Sequence, residues 1–336
     1  MDKTYFLLLL NMFFGCLGSF LWGSLGALLI YKYGAKFGLT DIPNERSSHS
    51  TVVPRGGGIG ILLSFVFYSL YFSLDLLFWI PVLVLSGVSF FGDKYPITPR
   101  LRLYVQFACS LLFLIGLFYG RHVDLLLYIL VLPVSIFMVG TANFYNFMDG
   151  INGISGLASL VAFALLGYYG SSKGFDGKYL IMCGVIMFSC IGFLPFNLPL
   201  ARVFMGDVGS IFLGFVFSCM VILFSRSVPD FIILCSFLLP FYMDELSTLL
   251  IRIKDKDKLS MPHRKHLYQL LANELKVPHW KVSLIYALTQ IMVGITVLIL
   301  QNNIYFVILL IICYGILFWS YSYMIRRKVS ILSGRG

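Results

Sequence analysis

Five polar stretches interrupt an otherwise apolar sequence, and each carries residue types that bind ions or phosphates. In NFYNFMDGINGISG, Asn143, Asn146 and Asp149 recur every third residue, so one helical turn would align their side chains on one face. Gly150, Gly153 and Gly156 then free the backbone. A single Asn at a span end can simply bond to a neighbouring helix, but three aligned oxygen-bearing side chains beside a glycine turn point to a ligand site. In FMGDVGSIFLG, Asp207 stands between glycines at a helix start. It is there either as an N-cap or as a carboxylate for a hard cation such as Mg²⁺, which takes one or two carboxylates plus substrate phosphates.

The remaining three stretches supply mainly cations and backbone donors. FFGDKYPITPRLRLYVQ sets Asp93 at the end of an apolar run, where ionisable groups are costly, and follows it with Arg100 and Arg102. DIPNERSSHSTVVPRGGGIG cannot be one helix because Pro43 and Pro54 break it. Its glycines either cradle a phosphate on backbone N–H groups beside Arg55 or let helix ends pack closely. SMPHRKHLYQLL packs His263, Arg264, Lys265 and His266 together. The His-x-x-His pair has no third zinc ligand after it, which favours anion binding with Arg264 as a fork for phosphate.

The elements that position these stretches are membrane spans. The chain is 59% hydrophobic, 12% charged and has a mean hydropathy of +0.89. Apolar runs long enough to cross a bilayer as helix recur throughout, without the period-2 alternation of a β-barrel. Eleven spans are expected, at 5–30, 57–74, 76–91, 103–119, 125–142, 154–170, 178–196, 208–225, 230–251, 283–300 and 303–323. The first is too long for a signal peptide. With the N-terminus outside, the loops 31–56, 92–102, 143–153, 197–207 and 252–282 and the tail face the cytosol. They hold 20 of the 25 Lys and Arg, which sets the C-terminus inside. This topology accounts for most of the net charge of +10 without a nucleic-acid partner. The seven Cys lie inside apolar runs without C-x-x-C pairing and read as small core residues. The expected architecture is an all-α polytopic protein, one domain over 1–336, with its site on the inside loops. Carboxylates for a divalent cation beside cations for phosphates, all at one membrane face, share the logic of phosphoryl transfer.

In that order, DIPNERSSHSTVVPRGGG, GDKYPITPRLRLYVQ, NFYNFMDGINGISG, FMGDVGSIFLG and PHRKHLYQ make the sequence resemble the polyprenyl-phosphate N-acetylhexosamine-1-phosphate transferases over Asp41–Gln269. The R-x-H-L-Y-Q ending is similar to the subgroup that starts O-antigen or other surface glycans. The resemblance implies transfer of a sugar-1-phosphate from a UDP-amino sugar to undecaprenyl phosphate in the bacterial inner membrane, with release of UMP. Its implied cofactor is Mg²⁺, with Mn²⁺ as an alternative, and its implied partners are both substrates; membrane lipids are a further expected partner, and a homodimer is one of the oligomeric states the sequence leaves open. It assigns Asn146 and Asp207 to the metal, and Asp93, Asp149 and Asp207 to catalysis. Substrate contacts fall to His49, Arg55, Arg102, Asn143, Asn152, His263, Arg264 and His266. One departure stands out: the family pattern has two adjacent aspartates where this chain has Gly92–Asp93. A member that binds without turnover, or a transporter of lipid phosphate or nucleotide sugar, are the alternative readings.

Overall fold

The computed structural model describes residues 3–43, 47–118, 129–258 and 263–332, with side chains from Phe14 onward. Most of it is helix. In chain order the helices are α1 (Lys3–Tyr33), α2 (Ile59–Tyr71), α3 (Leu76–Lys94), α4 (Pro99–Phe118), α5 (Val131–Phe147), α6 (Ile154–Ser172) and α7 (Gly177–Asn197). They continue as α8 (Asp207–Phe224), α9 (Val228–Ser236), α10 (Leu239–Lys254), the short turn α11 (Leu267–Gln269), α12 (His279–Leu300) and α13 (Ile304–Leu332). Among the described residues, eight helices are long and apolar enough to cross a membrane, or nine if α9 and α10 form one bent span. The expected spans at 57–74 and 125–142 correspond to the shorter apolar helices α2 and α5, and part of the latter run lies outside the described residues. The chain is an all-α, multi-pass membrane protein.

Helix α8 is the hub. Its run from Val208 to Val221 is buried on every side, as an apolar-all-round sequence must be when other helices surround it. Helices α3, α5, α6 and α2 pack against it, while α1 lies along α7 and α12 along α6. Helix α13 sits at the rim, with most of its apolar side chains at least partly exposed, as on a lipid-facing helix, and one side packed on the core.

The expected straight span over 230–251 is corrected: α9 and α10 meet at 85°. The physical cause is Pro240 in the first turn of α10, which has no N–H to continue a helix from α9. Irregular backbone at membrane depth needs its carbonyls satisfied by other protein groups. Here the buried Gln290 of α12 does so, its Nε2 donating to Phe237 O at 2.7 Å and to Ala158 O at 3.0 Å.

At one end of the bundle the Asp41–Gly58 loop folds back over the helix ends. A two-residue strand β1 (Thr40–Asp41) pairs antiparallel with β2 (Val53–Pro54). The glycines that follow do not offer their N–H groups to a ligand. Gly56 and Gly57 donate to Phe204 O at 3.1 and 2.9 Å, and Gly58 donates to Met205 O at 2.9 Å. Phe204 N returns a bond to Pro54 O at 2.8 Å. Of the two readings of PRGGG, close packing is therefore the observed one, and a Cβ at Gly58 would sit 2.4 Å from Gly209 Cα. The glycine run splices the loop onto the segment that leads into α8.

Candidate active site

The first turn of α8 is built by a residue from another helix. A helix start leaves N–H groups without partners, normally met by a side chain just upstream. Here the upstream residue is Gly206 at φ +76°, where a Cβ would stand 2.7 Å from Asp93 Oδ2. Asp93, at the end of α3, supplies the cap. Its Oδ1 accepts from Asp207 N at 3.0 Å and its Oδ2 from Val208 N at 3.2 Å. Arg55 Nε donates to the Asp93 carbonyl at 2.8 Å and stands 3.8 Å from its carboxylate.

With capping done by Asp93, the carboxylate of Asp207 is left for other work. The N-cap reading of Asp207 is corrected: it is the first helical residue, and its side chain faces a cavity of about 250 Å³. Its Oδ1 accepts from Asn146 Nδ2 at 3.0 Å, and its Oδ2 lies 2.7 Å from Arg102 Nη2. Asn146 also donates to Ser210 Oγ at 2.8 Å. Asp149, just beyond α5, lines the same cavity, as do Asp93, Arg55 and His49. Burial, reinforced by the charges of Asp207 and Asp93, pushes the Asp149 carboxyl up to about 8. The His49 ring meets Phe204 edge-on, with centroids 4.8 Å apart, at the loop side of the cavity.

Other expected site residues are placed elsewhere. Asn143 turns to α4, where it exchanges bonds with Gln106 at 2.7 and 3.3 Å, so the row of three is split after its first member. Asn152 points into the fold: its Nδ2 donates to Pro199 O at 3.2 Å, and its carbonyl accepts from Ser283 Oγ at 2.8 Å. Only Gly150 and Ile151 of that turn line the cavity.

The histidine motif is anchored rather than presented. His266 is buried, with Nε2 3.5 Å from Glu245 and Nδ1 3.8 Å from Asp244. Its ring stacks on Tyr268, and the His263 ring lies 4.8 Å from it. Burial, with positive neighbours adding to it, holds the His263 imidazole down to about 4. Neither histidine nor Arg264 lines the cavity; from this segment Gln269 does. Lys265 pairs with Asp255 at 2.6 Å and Asp257 at 2.9 Å, so the charged loop after α10 ties down this motif.

Sequence reasoning missed Asp41, Asn197 and Gln269 as lining residues. Asn197 had a signal, being an amide at the inner end of an apolar run. Its Oδ1 accepts from Gly153 N at 2.6 Å, and its Nδ2 donates to Val203 O at 2.9 Å, which joins two of the polar stretches.

Among the described residues, no three His, Cys, Asp or Glu side chains converge to hold a metal alone. An oxygen-only set of Asp207, Asn146 and Asp149 around one cavity does suit a hard cation that completes its shell with phosphate oxygens.

Residues 76–225 match the family model described as glycosyl transferase family 4. Over 303 residues the chain is 27% identical to an undecaprenyl-phosphate alpha-N-acetylglucosaminyl 1-phosphate transferase of Thermotoga maritima, covering 88% of this chain and 92% of the relative. A protein of the same name from Salmonella typhi is 26% identical over 333 residues, covering 92% and 89%. A phospho-N-acetylmuramoyl-pentapeptide-transferase of Staphylococcus saprophyticus is 29% identical over 143 residues, covering 40% and 42%. The matched stretch runs from the start of α3 through α8 and so encloses Asp93, Arg102, Asn146, Asp149 and Asp207; over it the chain is similar to glycosyl transferase family 4, and along most of its length to undecaprenyl-phosphate N-acetylglucosaminyl 1-phosphate transferases.

Proposed function

We propose that the protein transfers an N-acetylhexosamine-1-phosphate from a UDP-sugar to undecaprenyl phosphate, releasing UMP and starting a surface glycan. The observation that carries this reading is the convergence of Asp207, Asn146, Asp149, Arg55 and Arg102 at one end of a membrane bundle. A lipid-borne phosphate can reach such a site from the bilayer, and a nucleotide sugar from water. The 20-to-5 split of basic residues supports a cytosolic face for this end, an outside N-terminus and an inner-membrane location.

In the proposed reaction an oxygen of the lipid phosphate bonds to the β-phosphorus of the UDP-sugar. The bond from that phosphorus to the oxygen bridging it to the α-phosphorus breaks, and UMP leaves with the electron pair. Asp207 and Asn146 would hold Mg²⁺, which when bound neutralises diphosphate charge. Arg55 and Arg102 would meet phosphate oxygens with planar, charge-assisted donors. Asp93 is assigned a changed role: with both carboxylate oxygens on backbone N–H groups, it is a positioning residue for Asp207 rather than a free base.

The test is purified protein with undecaprenyl phosphate, Mg²⁺ and a panel of UDP-sugars including UDP-GlcNAc, followed by UMP release and the mass of the lipid product. UMP release with one donor and a lipid gaining the matching sugar phosphate is expected. No release across the panel, beside an active relative, overturns the reading. Gly92 favours one second reading, a member that binds without turnover. Activity that emerges only in the Gly92→Asp protein would select it.

A further inference from the structure

Both oxygens of Asp207 are already engaged by N–H donors, one from Asn146 at 3.0 Å and one from Arg102 at 2.7 Å. A divalent cation that uses this carboxylate meets a positive charge already placed 2.7 Å from Oδ2, so the two cations compete for it. Asn146 sits on α5 and is braced by Ser210 at 2.8 Å. Arg102 stands on a long stem in the first turn of α4, with 28% of its side chain exposed, so it is the donor free to swing. Beside it stands Gly92, where a Cβ would meet Arg102 Nη2 at 3.7 Å and Ile97 at 3.4 Å, ordinary contact distances; a side chain there would start next to the guanidinium, and this chain places no carboxylate at that position.

We propose that Arg102 is an exchangeable counter-cation. It neutralises Asp207 while no divalent ion is bound, and it turns to the acceptor phosphate once the ion takes its place. Gly92 sets the strength of this lock by giving the guanidinium no rival carboxylate. Cation loading and phosphate capture are thereby coupled through one side chain. This inference rests on the proposed cation-dependent transfer at the same cavity.

The test is Mn²⁺ binding followed by electron paramagnetic resonance on purified wild type, Arg102→Met, Gly92→Asp and the double variant, without nucleotide. Arg102→Met is expected to bind Mn²⁺ about tenfold more tightly, as the competing charge is gone. Gly92→Asp is expected to tighten binding about fivefold with Arg102 intact, and to add less than about twofold in the Arg102→Met background. That loss of effect is the signature of a carboxylate acting by drawing the guanidinium away. A Gly92→Asp gain of equal or greater size without Arg102 means a direct ligand or simple through-space charge, and overturns the exchange. Unchanged affinity in Arg102→Met overturns it too, and should that variant not fold, unchanged affinity in Gly92→Asp does the same. UMP release by wild type in the same preparation separates the two ideas: turnover with an additive cycle, or with no Mn²⁺ binding in any of the four, leaves the transferase standing and removes the lock, whereas no UMP release removes the transferase reading and with it the lock.

Discussion

Two buried aspartates in this molecule perform the same local task with different results. Asp93, at the end of α3, accepts from the first two N–H groups of α8 at 3.0 and 3.2 Å. Asp244, within α10, accepts from Leu267 N and Tyr268 N at the start of α11, at 2.7 and 3.1 Å. Each lends a charge from one helix to the orphan donors of another. The Asp93 region opens on a cavity, and the residue whose N–H it holds is Asp207, so the cap aims a second carboxylate at the site. The Asp244 region is sealed. Tyr286 Oη donates to Asp244 at 2.7 Å and Thr248 Oγ1 at 3.3 Å, while His266 and Glu245 close around it. One capping device presents chemistry, and the other fastens a loop.

The sharpest way to break this contrast is to remove the group that one cap presents. Asp207→Asn is expected to lower kcat for UMP release by about 10³-fold. Its thermal unfolding should stay within about 2 °C of wild type, since the Arg102 pair is a quarter exposed. Preserved turnover would detach this carboxylate from the reaction. Asp93→Asn comes next, with kcat down about 10²-fold through a displaced Asp207 and about 1–2 kcal/mol of stability lost with the cap. Asp244→Asn should reverse the balance. A buried acceptor of four bonds is worth about 3 kcal/mol of stability, read by denaturant unfolding in detergent, whereas kcat per folded molecule should fall less than about tenfold. If Asp244→Asn proves the more damaging to kcat, the distinction drawn here is wrong.

The remaining effects are in pH dependence, and their signs oppose. Asp149 rises from 3.8 to about 8 on folding, so the folded state keeps a proton that the unfolded chain gives up. Its contribution to stability is complete below the lower value and is lost as pH climbs through the upper one. His263 falls from 6.5 to about 4, so the unfolded chain takes up the proton first. Its contribution is complete above 6.5 and is lost as pH drops toward 4. Unfolding temperature against pH should flatten on the alkaline side in Asp149→Asn and on the acid side in His263→Gln. A curve unchanged by either substitution refutes the corresponding assignment.

Much of the site was legible in the sequence, because ionisable and amide groups at span ends are costly unless used. That argument singled out Asp93, Asn146, Asp149 and Asp207, and all four line one cavity. It could not tell apart partners that lie far along the chain. PRGGG reads equally well as a phosphate cradle or a backbone splice, and only Phe204, some 150 residues later, decides between them. His266 reads as an anion-binding donor because its carboxylate neighbours belong to another element, α10. Hydropathy likewise saw one straight span over 230–251, since a bend at Pro240 leaves the apolar total unchanged.

The bend between α9 and α10 also predicts how the surrounding sequence tolerates change. Gln290 lies in the middle of a mainly apolar helix, where a leucine would ordinarily be the easier residue to insert into a bilayer. Because its amide serves Phe237 O and Ala158 O together, the position selects against hydrophobicity. A deep mutational scan of α12 should therefore show one buried site whose preference runs opposite to its neighbours, with Gln290→Leu depleted while Val293→Leu and Val297→Ile persist. A broken helix thus leaves its mark in a different helix, as a polar requirement written into an apolar span.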